Sequence, residues 1–139
     1  MSAKGRKWVL IFHGLNLLSF GLPLFLMPAL VFDMYGLTAD EGAFSVARMM
    51  GAVALGNVVM SWLIRNSDFG LVQRPFFISM TVAWACTLFA GLTAMLGGTL
   101  NTMGWMFVFN PLLWVVLFGY LSLQPAHQST AETGQLQSV

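Results

Sequence analysis

The chain has 139 residues, of which 58% are hydrophobic and only 8% charged, with six Lys and Arg against five Asp and Glu. Soluble domains carry about 25% charged residues, so this composition cannot build a water-facing surface, and the apolar excess must face lipid or partner helices. The formal net charge of +1 gives no pull towards nucleic acid, and a single cysteine, Cys86, excludes an intrachain disulfide and Cys-x-x-Cys chemistry.

Lys4, Arg6 and Lys7 open the chain as a basic n-region would. The apolar run over residues 8–32 exceeds the roughly 7–15 residues of a signal h-region, and no A-x-A site ends it. It reads as a retained signal-anchor helix. Three further segments, residues 44–64, 75–96 and 104–123, have the roughly 20 apolar residues that a spanning helix needs. None alternates with period two as a barrel strand does, and backbone hydrogen bonding in lipid then requires helices. The predicted fold is all-α: a four-helix transmembrane bundle, up-down-up-down. Residues 1–123 form one domain. Residues 124–139 are polar and predict a disordered cytoplasmic tail.

Local signals place the helix ends. Thr38-Ala39-Asp40-Glu41 fits a capping box, with Thr38 as N-cap and Glu41 reaching back from the third helical position. Pro75 fits a first helical turn, and Pro23, Pro28 and Pro111 predict bends. Lys4, Arg6, Lys7, Arg65 and Arg74 fall on one side if the chain crosses each time, with Asp33, Asp40 and Glu41 on the other. The positive-inside rule then makes both termini cytoplasmic. Trp8, Trp62 and Trp105 lie near segment ends, as interfacial tryptophans do, whereas Trp84 and Trp114 lie deeper and fit packing between helices.

Few residues carry chemistry. Arg48 stands inside the second apolar segment, where a charge is costly. It reads either as a snorkelling side chain or, with Glu41 seven residues earlier, as a ligand or headgroup site at the outer mouth. His13 and Asn16 share a face of the first helix. They predict interhelical hydrogen bonding with Asn110, or else a polar path. Asn57 falls on the face opposite Arg48. Ala47-x-x-x-Gly51, Ala52-x-x-x-Gly56 and Ala83/Thr87/Gly91 are small-residue spacings that let helices approach. They serve intrachain packing or, alternatively, a homo-oligomer or partner-subunit seam. The ten methionines read as packing material rather than a copper site. A bis-His haem lacks its second intramembrane ligand, since His127 is in the tail. No central carboxylate is present for proton-coupled export or sterol-isomerase chemistry, and no phosphate loop, zinc motif or Ser/His/Asp set appears.

The run Ala47-Arg48-Met49-Met50-Gly51 opens the second helix after a proline-ended first helix and a short acidic loop. Gly56 and an Arg-bearing connector follow. From Leu37 to Trp62 in detail, and across all four helices in layout, the chain resembles small four-helix bacterial inner-membrane proteins of unknown function. The resemblance implies a bacterial inner membrane and supplies no activity. The expected role is non-enzymatic, an accessory or interaction protein with no cofactor or metal, whose partners are membrane lipids and a second copy or other membrane subunit, not nucleic acid. The alternative is a small transporter or a lipid- or small-molecule-binding protein.

Overall fold

A computed structural model of the chain describes residues 1–125. Residues 126–139, most of the expected polar tail with His127, lie outside the described residues. Five α-helices follow one another: α1 (Ala3–Leu26), α2 (Pro28–Met34), α3 (Glu41–Ile64), α4 (Arg74–Leu96) and α5 (Met106–Ser122). A π-helical turn, Phe69–Gln73, leads into α4, and a 3-10 turn, Thr102–Trp105, leads into α5. There is no strand among the described residues. Four stretches, Ala3–Leu26, Glu41–Ile64, Phe69–Leu96 and Thr102–Ser122, are long and apolar enough to cross a membrane.

The helix starts follow from short polar side chains that accept from otherwise unpaired backbone N–H groups. Ser2 accepts from Gly5 N, Asp68 from Leu71 N and Asn101 from Met103 N. The capping box at Thr38 is not formed. Asp40 is the cap of α3, its Oδ1 accepting from Ala43 N at 2.8 Å, and Glu41 is the first helical residue. Asp40 wins because its carboxylate sits three residues before a free backbone N–H and adds negative charge at a helix N-terminus.

The first apolar segment is two helices, not one. Pro23 stays inside α1, but the chain breaks at Met27 (φ −136°, ψ 57°) before Pro28 starts α2. Pro28 has no N–H for the carbonyl of Leu24 and pushes the preceding residue out of helical geometry. The short α2 ends at Tyr35, and Gly36 turns the chain at φ +71°. Asn101 locks this turn: its backbone N donates to Tyr35 O at 3.1 Å and its Nδ2 to Met34 O at 2.9 Å. The side chain of Asn101 lies against the Gly36 Cα, where a Cβ would meet Nδ2 at 3.2 Å.

The long helices close up as two tight pairs, α1 with α3 and α4 with α5. On the first pair, Gly14 faces Ser61, and Gly21 faces Ala54 and Gly51, so the helices meet in reverse sequence order. A Cβ on Gly21 would lie 2.8 Å from that of Ala54, and one on Gly51 would lie 2.6 Å from Phe25 N. The Ala47–Gly51 spacing is therefore used inside the chain, where both residues are buried. Ala52 and Gly56 face outward, with no atom within 4 Å of a Cβ built on Gly56. On the second pair, Gly91 presses against the Phe107 carbonyl. Pro111 lies four residues after Phe107 inside α5 and has no N–H to give it. The freed carbonyl is met by the Gly91 backbone instead, an approach only glycine allows.

Side chains fill the seam between the two pairs. One buried cluster gathers Leu10, Ile64, Phe76, Phe77, Trp114, Phe118 and Leu121, and another gathers Leu24, Val31, Tyr35 and Ala47. The outer surface stays apolar, with Phe12, Met49 and Phe89 about 70% exposed. Gly91→Ala must separate α4 from α5 or displace the Phe107 carbonyl. We expect a loss of about 2 kcal/mol or more in reversible unfolding from detergent, against less than about 0.5 kcal/mol for Gly56→Ala, whose Cβ enters open space.

Candidate functional site

Two of the three buried polar side chains among the described residues, His13 and Ser61, meet in one layer between the long helices; the third, Gln73, lies at the basic end. His13 of α1 is fully buried, as is Ser61 of α3. His13 Nδ1 lies 2.9 Å from Ser61 Oγ, and Trp84 Nε1 of α4 donates to His13 Nε2 at 3.2 Å. An indole N–H only donates, so Nε2 must accept and the imidazole proton sits on Nδ1, pointing at Ser61. Four aromatic rings, Phe118, Trp114, Trp84 and Phe76, surround the imidazole with centroids 4.8–6.1 Å away, each edge to face.

One turn further along α1, Asn16 Nδ2 donates to Asn110 Oδ1 at 3.1 Å, and Trp114 Nε1 is 3.1 Å from the side-chain oxygens of both asparagines. Trp84 and Trp114 stack with centroids 6.3 Å apart. His13, Asn16 and Asn110 therefore belong to one polar-aromatic layer, but His13 bonds to Ser61 and Trp84 rather than to Asn110. No buried side-chain polar atom among the described residues lacks a partner. Ser61 carried no signal in the sequence: a lone serine in an apolar run commonly bonds its own helix.

The remaining candidates take no part in the hydrogen bonds of the layer. Asn57 donates to the Val53 carbonyl of its own helix at 3.0 Å. It borders a cleft of about 140 Å³ between α4 and the α1–α3 pair, together with His13, Leu17, Met80, Ala83, Trp84 and Thr87. Arg48 and Glu41 are both exposed, and no hydrogen bond or ion pair ties either side chain to another described residue.

The basic end is more organised than the sequence suggested. Gln73, only 3% exposed, donates to Ile64 O at 3.0 Å and accepts from Arg6 Nε at 3.2 Å. The Arg6 guanidinium also donates to Met1 O and lies 4.5 Å over the Phe69 ring. Arg74 Nε donates to Ser122 O at 3.0 Å, tying the start of α4 to the end of α5. Arg65 lies over Trp62 and donates to its carbonyl. A cavity of about 610 Å³ opens here, lined by Arg6, Asn66, Ser67, Asp68, Phe69 and Tyr120 among others. Sequence reading passed over it because a connector of mixed polar residues looks the same whether or not it encloses space.

The polar layer generates a ranking of substitutions. His13→Ala empties a site ringed by aromatics and leaves Ser61 and Trp84 unpartnered, for an expected loss of about 3 kcal/mol or more. Asn110→Ala removes one interhelical pair, which in apolar surroundings is worth roughly 0.6–1.7 kcal/mol. Chemical unfolding in mixed micelles measures both, and an equal or reversed order would contradict the central place given to His13.

No curated protein and no solved structure matches the chain. A family model described as a domain of unknown function (DUF8292) matches residues 11–137, which include the whole polar layer and the α3–α4 connector. The chain belongs to that family.

Proposed function

We propose that this chain is a four-span protein of the bacterial inner membrane, up-down-up-down with both termini cytoplasmic, and that its role is non-enzymatic: an accessory or interaction protein. The observation that carries this reading is the mutual satisfaction of the central layer, whose His13 and Trp84 border a cleft of only about 140 Å³, below the size of a ligand site. His13, Ser61, Asn16, Asn110, Trp84 and Trp114 satisfy one another. A transport path would need such groups to face an open cavity, and a catalytic site would need at least one of them free to engage a substrate.

Two further observations support it. Arg6, Arg65 and Arg74 gather at one end through Gln73, Trp62 and Ser122, in keeping with a cytoplasmic boundary. Only 11% of the apolar window of α3 is buried, against 33% for α1 and α5, so α3 turns most of its surface outward. Ala52 and Gly56 sit on that outward surface. An accessory role uses this face for a second copy or another membrane subunit.

A second reading, a lipid- or small-molecule-binding membrane protein, is favoured by one observation, the cavity of about 610 Å³ at the basic end. That volume falls in the range of about 300–1,000 Å³ typical of ligand sites.

Both parts of the leading reading have direct tests. In a Cys86→Ser background, cysteines at Ser67 and Thr99 should react with an impermeant maleimide from opposite sides of intact inner membranes, Ser67 only after lysis. Labelling of both from one side rejects the topology. Cysteines at Met49, Ala52 and Met60 should give cross-linked species in native membranes, whereas cysteines at the α1-facing Ala54 should not. Absence of any product along the outer face of α3 rejects the accessory role.

A further inference from the structure

The cavity at the basic end holds opposite charges that do not pair with each other. Arg6 is fixed on one wall: Nε is on Gln73 Oε1, one Nη is on Met1 O, and the plane lies on Phe69. Its second terminal amino group has no partner among the described residues. Gln73, which aims Arg6, is itself buried and anchored on Ile64 O. Asp68 stands on another wall. One carboxylate oxygen, Oδ1, accepts from Leu71 N at 2.8 Å; the other makes no hydrogen bond to a described residue, and Asp68 lines the cavity. Asn66, Ser67 and Tyr120 line the same space.

A fixed cation and a fixed anion facing one cavity suit a ligand with both charges. Tyr120 is 59% exposed on the outer side of α5, and Arg65 on Trp62 lies at the same end. In the membrane reading this is the depth of lipid headgroups, where arginine and tryptophan concentrate.

We infer that the cavity binds the phosphoethanolamine headgroup of a zwitterionic phospholipid, the phosphate on Arg6 and the ammonium on Asp68. An Arg–phosphate contact is a charge-assisted hydrogen bond, and an ammonium donates to a carboxylate in the same way. Choline has no N–H to donate to Asp68. Phosphatidylglycerol brings a phosphate without a cation and leaves Asp68 facing an anion. Electrostatics alone would have the basic end prefer anionic lipid, so preference for ethanolamine lipid is the distinguishing expectation. This inference rests on the lipid-binding reading and does not require the accessory role.

The test is native mass spectrometry of the full chain, released from mixed micelles holding equal amounts of phosphatidylethanolamine, phosphatidylglycerol and phosphatidylcholine with matched acyl chains. Wild type should retain the ethanolamine lipid over the other two by roughly three- to tenfold. Asp68→Asn keeps a side-chain oxygen for the Leu71 N–H and removes the charge, so it should lose that preference while its melting temperature holds. Glu41→Gln, at the other end, should leave the preference unchanged. Equal retention of the three lipids by wild type overturns the inference whatever the variants do, and so does an unaltered preference in a folded Asp68→Asn. Free O-phosphoethanolamine forms the second arm: if it binds the lipid-free protein as tightly as the lipid does, the source is the soluble headgroup and the lipid assignment falls. Release of the chain from membranes by alkaline carbonate would sink the membrane reading separately.

Discussion

The hydrogen bond from Trp84 to His13 organises the interior of this molecule. It joins α4 to α1, and through the far side of the imidazole it joins α1 to Ser61 on α3. Both ring nitrogens are thereby engaged, and the direction of the proton is set by the donor that cannot reverse. A protonated imidazole would aim a second N–H at the indole, so this arrangement holds the neutral ring. In an apolar interior, a histidine without both partners would carry the desolvation cost of an unpaired polar atom. The four rings packed around it contribute shape and keep the bonded atoms dry, which strengthens each bond. α5, which gives no hydrogen bond to His13, reaches it through Trp114 and Phe118.

That knot explains why the two helix pairs are built differently from the seam between them. Within each pair, glycine brings backbones together: Gly21 and Gly51 on α1 and α3, Gly91 against α5. Between the pairs the spacing is set by indole, phenyl and imidazole rings. A pair held by backbone approach depends on small residues, and a seam held by rings depends on volume. Pro111 links the two kinds of contact, because the carbonyl it frees on Phe107 is the one that Gly91 approaches.

Much of this was legible in the sequence, for physical reasons that can be named. Hydropathy over about 20 residues is a strong signal, and all four long apolar helices were read from it. Asn16 and Asn110 were readable as partners because an asparagine in an apolar helix needs one. The end of α1 was only half legible: Pro23 and Pro28 look alike in sequence, yet Pro23 stays inside α1, whereas the helix breaks at Met27 and Pro28 starts α2. Thr38-Ala39-Asp40-Glu41 has the capping-box spacing, but that spacing does not show where the chain becomes helical, and the cap that forms is Asp40. Arg48 drew attention by its rarity and turned out to be exposed, while Arg6, in an ordinary basic run, is held by Gln73, Met1 O and the Phe69 ring. Position in sequence shows cost; only the fold shows which partner offsets it.

The two ends of the molecule differ in how they are closed. At the acidic end, Asn101 holds the turn at Tyr35 and Gly36 with two bonds to main-chain oxygens. At the basic end, Gln73 and Arg6 hold α1 against the α3–α4 connector by side chains longer than Asn101, and a cavity remains beside them. Long polar side chains reach across a gap that a short one would have to close. If the only task at that end were to fasten α1, shorter residues would suffice and would exclude water better. The use of arginine and glutamine there, with Asp68 across the opening, suits an end that fastens α1 and leaves charged groups accessible. The Asn101 turn at the acidic end and the mutually bonded central layer then keep the fold in place without any contribution from what enters the cavity.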